Sequence, residues 1–403
     1  MPKTPSHIVT AWFIYTTVAI NSIGFSLMLP LIPFYAREFH ATPLQIGLLI
    51  ASYPVAQFFV SPILGRFSDR HGRKPVLLAS LFLGSITALS MGFAHSLLML
   101  FAARTLHGVV GAGVVPVARA SLADVTSSEE RVVAIAHTGA SQSIGQLIGP
   151  VAGSLLVGIG DIHLPFYVAA GVSLLNMIIG FIFIRETLTE RAPSAGLREG
   201  LFHSFTLLKH IKSNIGILLI ILFIWQLTTS LSAVSFPLLI HDKFGLGARH
   251  IGYFVTAAAL VTVATQSFGI ARLIPLLRER KMILFGLIIM AGTIVLLPLS
   301  PAVPMLAIVY MVSAFGGAIA RSTTHGTTSR LSTLGQGATM GLLQSFDSLG
   351  RIIGPSLGGL LYGISYYLPF SFSAGILLIC VIVASQVLSI PSTKQLQPNI
   401  MAS

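Results

Sequence analysis

Charged side chains are rare within the long apolar stretches of this sequence, and those that occur there are the candidates for chemistry. Asp347 lies deep in one stretch, and Arg351 follows four residues later. Residues four apart share one face of a helix, so the two can form an ion pair. A carboxylate that exchanges such an arginine for a proton could carry a coupling proton between two conformations. A permanent ion pair that only holds helices together is the alternative interpretation.

Arg104 is the second candidate, because an arginine about two turns inside an apolar helix is costly in lipid and usually faces a cavity or a partner. His107 lies one turn further on nearly the same face and can titrate near neutral pH. We expect Asp347, Arg351, Arg104 and His107 to take part in proton coupling. Hydrogen bonds that only pack helices are the alternative, above all for His107. The residues expected to line a substrate cavity are Asn21, Arg104, His107, Gln142, Gln226 and Asp347.

The charge of that cavity bears on its substrate. If Arg104, Arg351 and Arg321 face it and Asp347 is its one acid, the net charge is positive and favours an anion or a zwitterion over a cation. Arg321 and His325, near the inner end of the tenth apolar stretch, can instead be residues that only set topology.

Composition places these residues in a membrane. Of 403 residues, 54% are hydrophobic and 9% are charged, against roughly 25% charged in soluble domains. Apolar runs of the length needed to span a bilayer recur along the chain, and they are about twice as long as the strands of a membrane barrel. We predict an all-α integral membrane protein with twelve spans, at residues 8–36, 44–66, 75–94, 97–120, 131–159, 163–185, 213–240, 249–272, 281–300, 303–325, 336–363 and 367–390.

The net charge of +12 predicts the orientation of the spans. With both termini in the cytoplasm, most Lys and Arg residues fall on the inner side, as the positive-inside rule requires, and only Arg37, Lys243 and Arg249 fall outside. The prediction is a multi-pass protein of the cell inner (plasma) membrane. Nucleic-acid binding is not needed to explain the positive charge.

Enzymatic chemistry is not expected. The histidines lack metal-ligand spacing, no nucleophile elbow or phosphate loop occurs, and the single Cys380 excludes an intramolecular disulfide. We therefore predict no catalytic residue, no metal and no cofactor.

The chain contains an internal repeat. Residues 143–156 match residues 348–361 at an offset of 205, which places each copy in the fifth span of a six-span half. Parallel halves with a site between them are a recurrent plan of membrane carriers. The predicted domains are two pseudo-symmetric six-helix bundles, 1–186 and 213–403, joined by a cytoplasmic linker, 187–212. Within the linker, Leu201, Phe202, Phe205 and Leu208 recur at helical spacing, which fits an amphipathic helix on the membrane or a solvated one.

A dense charge cluster occupies residues 65–75, between the second and third spans. Gly65 is expected to end a helix in close packing, and Gly72 to permit a tight turn. Arg70 and Arg73 anchor the segment on the inner side. Asp69 can lie at the N-terminus of another helix or pair with a cation, in contacts that differ between conformations. A plain topogenic loop is the alternative.

The repeated segment carries a glycine stripe. Gly145, Gly149 and Gly153 follow one another four residues apart, and Pro150 can bend the helix. The second copy contains Gly354 and Pro355. Such a stripe is a surface along which another helix can slide, although static packing explains the glycines equally well.

Together with the segment from Arg104 to Gly108, these two motifs resemble those of the major facilitator superfamily, specifically its twelve-helix drug/proton antiporter branch, which includes the tetracycline exporters. The likeness covers residues 19–157 and 336–362. It implies that the 65–75 segment is an inner gate, with partners near Asp124 and Arg131 and at the inner end of the eleventh span. It also implies that Arg104 influences proton transfer or binds substrate.

The resemblance implies proton-coupled efflux of a small amphipathic or drug-like compound by alternating access, by a monomer that needs only the proton gradient. The alternatives are an exporter of an anionic metabolite or siderophore-like carboxylate, and a non-transporting membrane sensor or a channel. Two departures matter. Asn21 stands where tetracycline exporters usually carry an acid, so tetracycline itself is not expected, and Glu279 in the 269–281 loop indicates a weaker second gate.

Overall fold

The computed structural model describes residues 5–188, 214–332 and 336–388, and within them it is helical and contains no β-strand. The helices are α1 (Pro5–Met28), α2 (Ile32–Glu38), α3 (Pro43–His71), α4 (Arg73–Gly92), α5 (Leu97–Gly111), α6 (Val114–Val125), α7 (Ser128–Ile159), α8 (Leu164–Phe183), α9 (Asn214–Phe244), α10 (Ala248–Ala264), α11 (Ile270–Leu299), α12 (Val303–Leu331), α13 (Gln336–Ile364) and α14 (Leu368–Val387).

Eleven segments among the described residues are long and apolar enough to cross a membrane. The helix α13, with 29 residues, is a twelfth of comparable length. The first span is continuous from Thr10 to Glu38 although a 3-10 turn, Leu29–Leu31, divides α1 from α2. Pro30 lies in that turn, where its missing N–H donor breaks the regular helical pattern. The predicted all-helical membrane fold is confirmed.

The charged segment at 65–75 is mostly helical, which corrects one expectation. Helix α3 continues past Gly65 to His71, and a Cβ on Gly65 would meet no atom within 4 Å. Gly65 therefore does not end a helix, since the polar end of α3 continues for six more residues. It does not pack closely against a neighbour either. The turn lies at Gly72, whose φ of 105° is one that residues with a Cβ rarely adopt.

The chain forms two compact units that cut across its two sequence halves. The first comprises Met1–Gly196, Leu231–Thr256 and Arg351–Tyr366. The second takes the described residues among Leu197–Ser230, Ala257–Gly350 and Tyr367–Ser403. Helices α9, α10 and α13 thus contribute to both units. The predicted boundaries of the domains stay predictions, and the proposed amphipathic linker helix lies outside the described residues.

Each unit has an apolar core of its own. In the first, a buried cluster joins α1, α4 and α6 and includes Ile14, Leu77, Leu81, Val117 and Leu122. In the second, α9 and α13 meet through Leu219, Leu222, Leu342 and Leu343. These cores hold the spans whose polar residues form the candidate site.

Candidate functional site

Asp347 is a buried carboxylate in the second unit, with 4% of its surface exposed. Its Oδ2 atom accepts a hydrogen bond of 3.4 Å from Nη2 of Arg321 on α12, and its Oδ1 atom has no partner. The expected partner was Arg351, which belongs to the first unit, and that pair stays a prediction. The structure gives the carboxylate an arginine from a neighbouring helix.

Trp225 and His325 complete a group that we call the Asp347 cluster, consisting of Trp225, Arg321, His325 and Asp347. The Arg321 guanidinium lies 4.7 Å from the centroid of the Trp225 ring. Trp225 Nε1 and His325 Nε2 are buried without a hydrogen-bond partner. Buried polar atoms are nearly always paired in folded proteins, so three unpartnered atoms in one cluster mark it as a place for a ligand or a proton.

Trp225, Arg321 and Asp347 lie at similar distances from the ends of their helices. Trp225 and Asp347 are each 11 residues beyond the first residue of their helices, and Arg321 is ten residues before the end of α12. At 1.5 Å per residue, each is about 15 Å from its helix end, which is more than the roughly 7 Å by which helices of 29 to 31 residues overhang each side of a hydrocarbon core of about 30 Å.

The depth of one member, Arg321, differs from expectation. The predicted tenth span ends at residue 325, which leaves Arg321 near its inner end as either a cavity residue or a topogenic one, whereas α12 continues to Leu331. The polar run after His325 lies outside the predicted span, but it is helical, and its Thr hydroxyls bond back to the helix, as Thr328 Oγ1 does to the Thr324 carbonyl at 2.7 Å. Trp225 was not singled out; its isolation as a polar aromatic in an apolar span was the available signal.

The first unit contains a counterpart of the Arg321–Asp347 contact. Gln142 occupies the position in the repeat that corresponds to Asp347. Its Oε1 atom accepts a hydrogen bond of 3.2 Å from Arg119 on α6, and Arg119 also reaches Thr138 Oγ1 at 3.4 Å. In both halves an arginine from another helix contacts this position, which is a neutral amide in the first half and a carboxylate in the second.

Arg104 is buried in the first unit with 1% of its surface exposed. Its Nε and Nη1 atoms have no hydrogen-bond partner. The guanidinium lies 4.8 Å from the centroid of the Tyr53 ring and 5.3 Å from that of Phe25. Aromatic faces attract a cation but do not satisfy its N–H donors, so two donors of Arg104 remain available to an anionic or hydrogen-bonding partner.

His107 shares the neighbourhood of Arg104. Its Nδ1 atom lies 2.8 Å from Thr87 Oγ1, and its ring centroid is 5.6 Å from that of Tyr53. Gly108 permits this packing, because a Cβ there would lie 2.5 Å from the Tyr53 carbonyl oxygen. Arg104 and His107 thus both contact Tyr53, as expected for residues one turn apart.

The remaining cavity candidates are divided between the units. Asn21 is half-buried on α1 in the first unit, together with Arg104, His107 and Gln142. Gln226 belongs to the second unit with Asp347, and its Nε2 atom donates to Ser230 Oγ at 2.8 Å. A shared substrate cavity stays a prediction.

Arg73 is the centre of the charged 65–75 segment. Its guanidinium pairs with Asp69 four residues earlier and lies 3.1 Å from Asp124 Oδ2 at the end of α6. It also donates to Ser68 Oγ at 2.7 Å. Asp124 was an expected partner of this segment. Within the segment, Asp124 contacts Arg73, and Arg73 also pairs with Asp69.

Glu186 is a member of this cluster that the sequence analysis missed. It follows α8 and accepts hydrogen bonds from the backbone N–H groups of Arg73, at 2.9 Å, and Lys74, at 3.1 Å. Partial burial raises the pKa of its carboxyl, but these bonds and two from Thr187 and Leu188 outweigh it and hold the pKa below its ordinary value. The carboxylate thereby caps the first turn of α4.

The other expected gate residues are less engaged. Arg70 is exposed, and Arg131 donates to the Ala123 carbonyl at 3.1 Å. The side chains of residues 336–338, at the start of α13, lie outside the described residues. In the second unit, Glu279 pairs with Arg330 and accepts a hydrogen bond of 3.2 Å from Thr327, so the weaker second motif also holds an ion pair.

The glycine stripe of α7 packs against α1. A Cβ on Gly145 would lie 2.7 Å from the Ala19 carbonyl oxygen, and one on Gly149 would lie 2.7 Å from Leu27 N and would overlap Ser26 Oγ. Gly153 approaches the Leu27 carbonyl. Backbone contact along three turns requires glycine at each position. Whether the helices slide here stays a prediction.

The second copy of the stripe makes similar contacts. Within the first unit, a Cβ on Gly358 would lie 2.7 Å from the Leu231 carbonyl oxygen of α9, and Pro355 presents its carbonyl to Gly47 of α3. Gly354, in the same turn of α13 as Pro355, is buried. The repeat in sequence is therefore also a repeat in packing, since α7 contacts α1 and α13 contacts α9.

Comparison with known proteins agrees with this architecture. The chain matches the family model described as Major Facilitator Superfamily over residues 14–247 and 218–400. It is 29% identical over 374 residues to Multidrug resistance protein 2 of Bacillus subtilis (strain 168), with 90% of this chain and 91% of that protein covered. It is 30% identical over 348 residues to Tetracycline resistance protein, class B, of Escherichia coli, with 85% and 86% covered.

A solved structure shows the same fold. The crystal structure of a bacterial homologue of the human lysosomal transporter Spinster superimposes with a TM-score of 0.77 at 15% identity, covering 96% of this chain and 97% of that one.

Proposed function

The chain belongs to the major facilitator superfamily, and from that premise we propose that it exports a small amphipathic, drug-like compound in exchange for protons by alternating access. Membership makes it a multi-pass membrane transporter rather than an enzyme. The direction of transport and the substrate class follow the names of its relatives, which are multidrug and tetracycline resistance proteins. Because Asn21 stands where tetracycline exporters usually carry an acid, tetracycline is not the proposed substrate.

One observation carries the proposal of proton coupling: a carboxylate, Asp347, lies about 15 Å inside its helix with one oxygen paired to Arg321 and the other unpartnered. Ionisable residues at such depth are rare and usually functional. The corresponding residue of the first half, Gln142, contacts Arg119 through an amide that carries no charge. The second half therefore carries an ionisable group at a position where a neutral amide holds the arginine in the first half.

The proposed cycle uses the contact between Asp347 and Arg321. Ionised Asp347 holds Arg321, whereas protonation neutralises the carboxylate and weakens that attraction, freeing the guanidinium to move. Because the two protonation states favour different arrangements of α12 and α13, proton binding and release bias the two access states. Arg104 and His107 are proposed to assist from the first unit.

The cluster around Arg73 is proposed to act as the inner gate. Its ion pairs with Asp69 and Asp124 join the α3–α4 turn to the end of α6, so these elements move as one body while the pairs persist. This proposal places both termini in the cytoplasm and the protein, as a monomer, in the inner membrane. The positive charge of this face supports that orientation.

A second candidate function is the export of an anion, such as a carboxylate metabolite. The observation that favours it is Arg104, whose Nε and Nη1 atoms are buried without partners. An anionic group would pair with it and satisfy both donors. In that case Arg104→Gln, which removes the charge, would reduce transport of the anion far more than transport of cations.

Counterflow in proteoliposomes tests the transport function itself. Vesicles loaded with unlabelled ethidium and diluted into a trace of labelled ethidium should accumulate the label transiently, because exchange through an alternating site does not need a gradient of the labelled compound. Equilibration without overshoot would indicate a channel, and no uptake above that of empty vesicles would indicate a sensor. Either result would reject the proposal for this substrate class.

A further inference from the structure

We infer that Trp225 and Asp347 form a binding site for the cationic group of the substrate, and that Arg321 occupies this site in the present conformation as a tethered substitute. The inference rests on the proposed function in assuming that a substrate is carried, and it narrows the substrate class to lipophilic organic cations. It also decides against an anion at this cluster.

The site combines the two features that attract organic cations. The face of an indole ring binds cations through its quadrupole, and tryptophan is the strongest of the aromatic side chains in this respect. A buried carboxylate supplies the opposite charge. The Arg321 guanidinium uses both, at 4.7 Å from the Trp225 centroid and 3.4 Å from Asp347 Oδ2. A substrate ammonium or phosphonium group would find the same two partners.

The hydrogen bonds that Arg321 leaves unmade point to a larger ligand. Asp347 Oδ1, Trp225 Nε1 and His325 Nε2 remain without partners around it. They comprise an acceptor, a donor and a ring nitrogen that can be either, so a ligand with polar groups beside its cation could satisfy them. Gly317 lies close to the indole N–H, because a Cβ there would be 3.1 Å from Trp225 Nε1, so a larger residue at this position would crowd the ring.

Exchange of Arg321 for a substrate cation keeps Asp347 paired. Removing the partner of a buried charge is strongly unfavourable, but replacing one cation by another leaves Asp347 paired throughout. The side chain of Arg321 is 33% exposed and that of Asp347 is 5% exposed, so the arginine can withdraw while the carboxylate stays in place. An anion would be repelled by Asp347 and by the face of the indole ring, and it could bind Arg321 only by leaving Asp347 unpaired.

Equilibrium binding to the purified protein tests this inference. The chain has two tryptophans, and Trp12 is 67% exposed on α1, so Trp12→Phe leaves Trp225 as the reporter. In this background, tetraphenylphosphonium should change the Trp225 fluorescence saturably, and tetraphenylborate, which has the same shape and the opposite charge, should not. Asp347→Asn should weaken tetraphenylphosphonium binding by about tenfold or more, because it removes the charge.

Arg321→Gln provides the decisive variant, since it removes the internal competitor. We expect it to strengthen tetraphenylphosphonium binding by about threefold or more at mildly alkaline pH, where protons compete little for Asp347. A gain in affinity cannot result from misfolding. Weaker binding by Arg321→Gln, or equal binding of the borate, would overturn the inference.

The measurement is independent of the proposed transport function. It uses protein in detergent, with no gradient and no turnover, so a protein that binds the phosphonium but fails in counterflow would retain this site and lose the proposed function. A protein that shows counterflow but binds tetraphenylborate as well as tetraphenylphosphonium would retain the proposed function and lose this site.

Discussion

Arg37 and Asp242 form a two-pronged ion pair, in which Nη1 and Nη2 of the arginine each contact one oxygen of the carboxylate. They are 205 residues apart, which is the offset of the internal repeat. The pair therefore joins equivalent positions of the two halves, near the end of the first span of each. Tyr362 of α13 donates to Asp242 Oδ2 at 2.8 Å and completes the contact within the first unit.

The neighbouring residues follow the same relation. Glu38 corresponds to Lys243, so the two halves carry opposite charges at two successive positions. His40 and Gly245 also correspond, and both have left-handed backbones, with φ of 54° and 66°. The two helix ends thus share a backbone conformation and differ in charge, which allows a pair of equivalent positions to attract rather than repel.

Charge reversal tests whether this pair acts in the transport cycle. Arg37→Asp and Asp242→Arg each place like charges together, so each should lower ethidium export, whereas the double variant should restore most of it. Because the pair is partly exposed, its effect on overall stability should stay within about 1 kcal/mol. Glu38→Gln, which leaves both partners intact, is the control. A double variant no better than either single one would show that the pair is incidental.

Gly72 should be far more sensitive to substitution than Gly65, although both lie in the charged segment. Gly72→Ala forces a Cβ into a left-handed position and 2.5 Å from Glu186 Oε2, and should destabilise the protein by about 1–2 kcal/mol. Gly65→Ala, in a helix with open space around it, should be neutral or slightly stabilising. Thermal unfolding of the purified variants in detergent measures both. Equal losses would mean that the turn at Gly72 is not as described.

Glu186 should make stability depend on pH. Its pKa in the folded protein is below the ordinary value of 4.5, so the ionised form binds the α4 backbone and stabilises the fold at neutral pH. That contribution is complete above the unfolded pKa and disappears as the pH falls through the lowered value. The melting temperature of Glu186→Gln should therefore lie below that of the wild type at pH 7, and the difference should shrink on acidification. A difference that grows in acid would contradict this assignment.

The glycine stripe gives another matched comparison. Gly149→Ala would push α7 away from Ser26 and Leu27 of α1, and should both lower the melting temperature and abolish ethidium export. Gly171→Ala on α8 meets nothing within 4 Å and should change neither. Export by Gly149→Ala at the wild-type rate would remove the close contact of α1 and α7 from the mechanism.

The fold and part of the site were predictable from sequence, for physical reasons. Apolar length fixes membrane helices, and the repeat at 143–156 and 348–361 predicts which helices correspond. Asp347 was recognisable because a carboxylate is rare at that depth. Its partner Arg321 was not recognisable as such. The depth of Arg321 depends on where α12 ends, and the polar residues after His325 hide that end in the sequence, because their hydroxyls bond back to their own helix.

Contacts between distant residues were beyond sequence reasoning. Arg37 and Asp242 each resemble ordinary charges at a membrane surface, and only the packing of α2 against the end of α9 brings them together. Glu186 likewise gave no sign that the backbone of α4, more than a hundred residues earlier, would bind it. Trp225 became informative only with the absence of a partner for its Nε1 atom in the folded protein.

Proton movement in membrane vesicles tests the central claim, that Asp347 couples export to the proton gradient. In vesicles with an acidified interior, followed with a pH-sensitive dye, ethidium should release protons through the wild-type protein, and Asp347→Asn should abolish this release. Asp161→Asn is the control, because Asp161 lies in the turn before α8 and asparagine can preserve its hydrogen bonds to the N–H groups of His163 and Leu164. Ethidium-driven proton release by Asp347→Asn at the wild-type rate would contradict the account.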